Sequence, residues 1–211
     1  MRHDVRRMSA LNPCPLIHPL LMSHTTSPPR SDAADLALHT IACGPAPAAL
    51  PTPQQVGFKA YNLMRMAALG LPVPPAFVLG THWCGQADAL TPQVWQPALR
   101  ALEQTGGLRF GDVRRPLLLS VRSGAPVSMP GMMDTLLNIG LCEVTVPGLL
   151  RYTGNPRLVW DAYRRLVAGY GEIVAGIPSG VFAADLQAVA GNRDERELDF
   201  AELRNLTRLH L

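Results

Sequence analysis

Proline spacing constrains this chain more than any other feature. A proline fixes its own φ, has no N–H to donate and disfavours the helical region for the residue before it, so prolines punctuate the chain and suit the first turns of helices best. From Met1 to Gln55 the prolines come with alanine and serine, as in TTSPPRSDAAD and CGPAPAALPTPQQ, and no apolar periodicity develops. That stretch reads as a mostly irregular extension, and folded structure is expected over 56–211.

Within 56–211 the breakers mark out elements. Phe58 to Leu69, FKAYNLMRMAAL, contains none, and Leu63, Met64 and Ala67 share a face before Gly70, which predicts a helix. LPVPPAFVL holds the backbone extended through Pro75 and leads into a short strand from Phe77 to Leu79. Thr91-Pro92 and Asn155-Pro156 each join a cap residue to a first-turn proline. The first opens a helix with Val94, Trp95, Ala98, Leu99 and Leu102 at helical spacing up to Gly106-Gly107. The second opens a long amphipathic helix carrying Val159, Tyr163, Leu166, Val167, Tyr170 and Val174. After Pro116, LLLSVRS is a continuous apolar run, predicted as a buried strand that ends on Arg122. LLNIGL is read as the start of a helix capped by Asp134, and Asp185 to Leu211 as a charged helical tail with Asp199 as a cap. Helices and strands in this order give an α+β chain.

Composition excludes several functions. No run free of proline, glycine and charge reaches the ~18 residues of a membrane span. A net charge of +3, scattered along the chain, leaves no basic face for nucleic acid. Cys14, Cys43, Cys84 and Cys142 are too widely spaced for a thiolate metal site. Pro13, Pro15 and Pro19 interrupt any secretory apolar helix, so reduced thiols and a cytoplasmic location are expected. The histidines show no triad or metal spacing.

Two segments carry chemistry. Lys59 is the only lysine among 19 basic residues, and it follows Gly57 at a predicted helix start. Free N–H groups, the helix dipole and an ammonium together suit phosphate; the alternative is an ordinary surface lysine. Arg122 leads into SGAPVSMPGMMDT, where Pro126, Pro130, Gly124 and Gly131 keep Met129, Met132 and Met133 out of any regular core element. A strand-end guanidinium there serves equally as an anion clamp or as half of a buried ion pair with Asp134 or another acid. Asp134 and Thr135 suit a metal or a nucleotide as well as a cap. The pairs Arg114-Arg115 and Arg164-Arg165 read as solvated charges.

RSGAPVSMPGMMDTLLNIGL, the Lys59 segment followed by LGLPVPPAF, and NPRLVWDAYRRLVAGYGEIVAG resemble, in order and spacing, the N-terminal part of pyruvate, phosphate dikinase, over roughly Val56 to Gly176. The resemblance implies part of an ATP-grasp nucleotide-binding domain. Its reaction makes phosphoenolpyruvate, AMP and diphosphate from ATP, pyruvate and phosphate, through a histidine on a swivelling domain. It implies that Lys59 and Arg122 hold ATP phosphates, with Gly57, Ser128, Met129, Gly131, Met132, Asp134 and Thr135 on the phosphate side, and that Mg²⁺ shares the charge. The family's G-G-K-G is here Gly57, Phe58, Lys59 and Ala60, a change that hinders close approach of backbone to phosphate. The resemblance also places the acidic Mg²⁺ ligands, the phosphohistidine segment and the barrel outside this sequence. No catalytic residue or metal ligand is therefore expected in the chain. The expectation is a fragment or split subunit, inactive alone, whose partners are ATP and the remaining dikinase domains on another chain. The alternatives are a non-catalytic nucleotide-binding or regulatory module, or a decayed remnant.

Overall fold

The computed structural model describes residues 38–43, 47, 49–124 and 134–211. Regular structure begins ahead of Val56. Strand β1 (His39–Ile41) pairs antiparallel with β2 (Ala76–Val78), Ile41 opposite Ala76. A short helix α1 (Pro53–Val56) starts on its proline, and Gln55 Oε1 accepts the Thr52 N–H at 2.8 Å. Helix α2 (Phe58–Ala68) takes the expected segment and ends ahead of Gly70, whose φ is +75°. It buries Met64 against Ile41 and Val56, with Tyr61, Leu63 and Ala67 packed around them. These apolar contacts close a small unit around β1, α1, α2 and β2.

Helix α3 (Pro92–Gly106) runs as expected to the left-handed Gly107. Strand β3 (Leu119–Arg122) pairs antiparallel with β4 (Thr135–Ile139). Two expectations fail here. LLNIGL is not a helix: it supplies β4, because Leu136 and Ile139 register with Val121 and Leu119 and both face the core. Local pattern yields to pairing with a distant strand. Nor is β3 buried, since Leu119 is half-buried and Ser120, Val121 and Arg122 are exposed. Its apolar run suggests two covered faces, yet β4 is its one strand neighbour among the described residues.

Helix α4 (Val146–Thr153) and helix α5 (Pro156–Ile173) complete the main core. Asn155 Oδ1 caps α5 by accepting the Leu158 N–H at 3.0 Å. Val159, Tyr163 and Leu166 of α5 pack on Leu136, Ile139 and Leu141, with Val146 and Leu149 of α4 beside them. Helix α6 (Ser179–Ala190) and helix α7 (Phe200–His210) follow, and Asp199 caps α7 by accepting the Ala201 and Glu202 N–H groups, both at 2.8 Å. Leu198, Leu203 and Leu206 are buried beneath α7. No helix among the described residues is long and apolar enough to cross a membrane.

The Arg164-Arg165 pair is not simply solvated. Arg164 has 7% of its side chain exposed and reaches Asp161 at 2.7 Å and Glu195 at 3.5 Å. Arg165 meets the same acids at 2.9 and 2.6 Å. The spacings i−3 and i−4 from Arg164 and Arg165 put Asp161 on the same helical face. Burial raises the Asp161 carboxyl's affinity for protons, but the hydrogen bonds and charges of Arg164 and Arg165 outweigh it and hold the pKa below its ordinary value. Its stabilisation is therefore complete above the unfolded value, near pH 4, and fades as pH falls through the lower folded one. Thermal melts between pH 3 and 7 should show the melting temperature falling with acid more steeply for the native chain than for Asp161→Asn, which should be less stable at pH 7.

Candidate phosphate-binding site

Gly57 is the joint on which the site is built. Val56 ends α1 and Phe58 begins α2, so one residue turns the chain between two helices. It does so at φ +79°, ψ 155°, a region open in practice to glycine alone, and it is buried. Tyr61 N–H is bonded to the Gly57 carbonyl at 3.0 Å, which leaves the preceding first-turn N–H groups without intrahelical acceptors. Lys59 lies exposed on that turn. The positive end of α2 and the ammonium occupy one corner of the molecule.

The β3–β4 ribbon brings the second cation. Arg122, the last residue of β3, stands opposite Thr135, the first of β4, and Ser123 Oγ donates to the Asp134 carbonyl at 3.4 Å. Just beyond, a Cβ placed on Gly124 would lie 3.7 Å from the Val56 carbonyl oxygen and 3.8 Å from the Gly57 Cα. The chain leaving Arg122 thus runs against the α1–α2 joint. Gly57, Lys59, Arg122, Asp134 and Thr135 are gathered by backbone contact and strand pairing across more than sixty residues of sequence. Ser128, Met129, Gly131 and Met132 lie outside the described residues.

Charge at this corner is unbalanced. Arg122 is exposed and forms no salt bridge with Asp134 or any other described carboxylate, and Lys59 has none either. A phosphate chain fits such a place, since it needs cations and free N–H donors. Mg²⁺ does not fit these residues by themselves. It wants carboxylate oxygens, and Asp134 is the one carboxylate among the described residues gathered here. No group of three or more His, Cys, Asp or Glu side chains among the described residues could hold a metal ion.

Sequence patterns did not show that Gly124 abuts Gly57. No local pattern signals it, because the contact joins residues sixty-seven positions apart and a Cβ at 124 would meet only ordinary van der Waals neighbours.

The chain is 44% identical over 160 residues to pyruvate, phosphate dikinase 2 of Oryza sativa subsp. japonica, a stretch covering 72% of this chain and 18% of that protein. It is 40% identical over 152 residues to pyruvate, phosphate dikinase of Clostridium symbiosum, covering 69% and 17%, and 40% over 176 residues to that of Rhizobium meliloti, covering 78% and 20%. This chain is related to pyruvate, phosphate dikinase. It spans about a fifth of the length of these dikinases. No protein-family model matches it.

The joint can be tested directly. Gly57→Ala forces a Cβ onto a backbone conformation that costs on the order of 1–3 kcal/mol, and denaturant titration should show a loss of that size. Gly180→Ala, in α6 with open space around it, should be neutral or slightly stabilising.

Proposed function

We propose that the chain supplies the phosphate-binding side of a dikinase-type ATP site, as part of an ATP-grasp domain occupying 56–211. One observation carries the reading. Gly124, two residues after Arg122, packs against Gly57, two residues before Lys59 at the start of α2, and neither cation has a carboxylate partner among the described residues.

The two cations have different roles. Arg122 presents a planar fork to two phosphate oxygens and fixes their orientation at the strand end. Lys59 is a point charge on a flexible stem, able to follow charge as it shifts along the phosphate chain. First-turn N–H groups of α2 complete the cradle. Phosphoryl transfer depends mainly on positioning and charge neutralisation, which such a cradle supplies. Bound with ATP, Mg²⁺ would neutralise phosphate charge, held by carboxylates outside the residues gathered here.

In this reading the acceptor histidine and the pyruvate-binding barrel belong to other dikinase domains. Residues 56–211 then act in the cytoplasm as the ATP-binding part, with the phosphoryl acceptor on those other domains.

The solitary lysine makes the test simple. The purified chain is acylated with and without Mg-ATP, and labelling of Lys59 is read by mass spectrometry against the α-amino group. Selective protection of Lys59 is expected. Equal labelling with and without Mg-ATP contradicts an ATP site at this corner.

A further inference from the structure

A second concentration of positive charge lies at the other end of β3. Between α3 and β3, residues 107–116 form a tightly tied loop. Leu117 N–H donates to the Arg109 carbonyl at 2.7 Å, and Asp112 Oδ1 accepts the Arg114 and Arg115 N–H groups at 2.7 and 2.8 Å. Neighbouring elements hold the loop from three sides. Glu103 of α3 accepts the Phe110 N–H at 2.9 Å, and Arg151 of α4 donates to the Val113 carbonyl at 3.1 Å. Gly148 of α4 packs so closely that a Cβ there would overlap that same carbonyl. Gly140, after β4, has room for no side chain beside the Phe110 ring and the Leu117 carbonyl. The backbone is therefore fixed before any ligand arrives.

On this frame Arg109, Arg114 and Arg115 are all exposed and border one cleft with Gly107 and Asp112. None forms a salt bridge with a carboxylate among the described residues. The acids nearby are already engaged. Glu103 bonds the Phe110 N–H, and the Asp112 carboxyl is held below its ordinary pKa first by the Arg115 and Arg114 N–H groups, then by the Arg109 and Arg114 charges. With Arg151, four guanidinium groups stand against two carboxylates, a local excess approaching the net +3 of the whole chain. Like charges repel, and here the hydrogen-bonded loop holds them together. Convergent, unpaired guanidinium forks are the recognition chemistry of phosphate oxygens, and several forks on one small cleft suit an anion carrying more than one charge.

We propose that the loop 107–116 binds a small multivalent phosphate anion of the diphosphate type, at a site separate from the Lys59–Arg122 corner. Arg114 and Arg115 read from the sequence as solvated charges, and nothing in the dikinase reading uses them or Arg109. Binding holds the anion by charge and paired hydrogen bonds, with no bond made or broken.

The test is calorimetric titration of inorganic diphosphate, without divalent metal and at low salt, into the full chain carrying Lys59→Gln and Arg122→Gln. That background removes the proposed ATP contacts, so failure here is distinct from failure of the ATP site. Saturable binding should persist in it. Adding Arg114→Gln and Arg115→Gln should weaken binding tenfold or more without shifting the thermal melt, because both side chains are exposed. Arg109→Gln, as an independent variant, should also weaken it. Absence of saturable binding in the background, or affinity unchanged on removing the arginines, overturns the proposal. So does a twelve-nucleotide single strand that displaces diphosphate at equal phosphate concentration, since the surface would then be a general polyanion track.

Discussion

Two backbone segments pack in van der Waals contact at Gly57 and Gly124, and the rest of the site follows from that meeting. Gly57 turns the chain from α1 into α2 at a φ of +79°, and Gly124 passes within van der Waals reach of it. Hydrophobic burial alone does not specify such a contact, because it is non-directional. It arises because each side is anchored elsewhere. Val56 and Met64 seat the joint in the small apolar cluster with Ile41, while the pairing of β3 with β4 fixes the path of the chain through Arg122. The segments that carry Lys59 and Arg122 are thereby packed against one another through backbone.

Helix α5 supports the other side of that arrangement. Its Val159, Tyr163 and Leu166 form the surface on which Leu136 and Ile139 of β4 rest, and β4 in turn sets the register of Arg122. The opposite flank of α5 packs against α7 and is tied to Glu195 by Arg164 and Arg165. Of these groups Arg164 alone is buried, and removing the acids that face it would leave its charge uncompensated, so the pairs tie α5 to the turn ahead of α7. The exposed strand β3, with Ser120, Val121 and Arg122 open, shows that the ribbon depends on β4 and α5 for its position.

Much of this was legible in the sequence, for local reasons. Pro92, Pro156 and Asp199 mark helix starts through first-turn geometry and capping, and Gly70 and Gly107 mark ends through positive φ, so those helices lie where expected. Lys59 and Arg122 were legible as residues suited to phosphate, but on their own they fit a surface lysine and a buried ion pair as well, and the dikinase resemblance supplied their roles. What failed was non-local. LLNIGL has the composition of a helix, and only Leu119 and Val121, some fifteen or more residues away, make it a strand. The burial of Arg164 depends on Glu195, thirty-one residues on, although Asp161 at i−3 gave half of the answer. Arg114 and Arg115 read as scattered solvated charges because the loop that sets them with Arg109 around one cleft is not a sequence pattern.

The central claim is that Lys59 and Arg122 act on the same phosphate chain. A double-mutant cycle on ATP affinity, using the native chain, Lys59→Met, Arg122→Met and the double variant, tests it most directly. Two cations sharing one ligand should be coupled, with the double variant departing from the sum of the singles by about 0.5–3 kcal/mol. Strict additivity, or ATP affinity indifferent to both substitutions, would contradict the account.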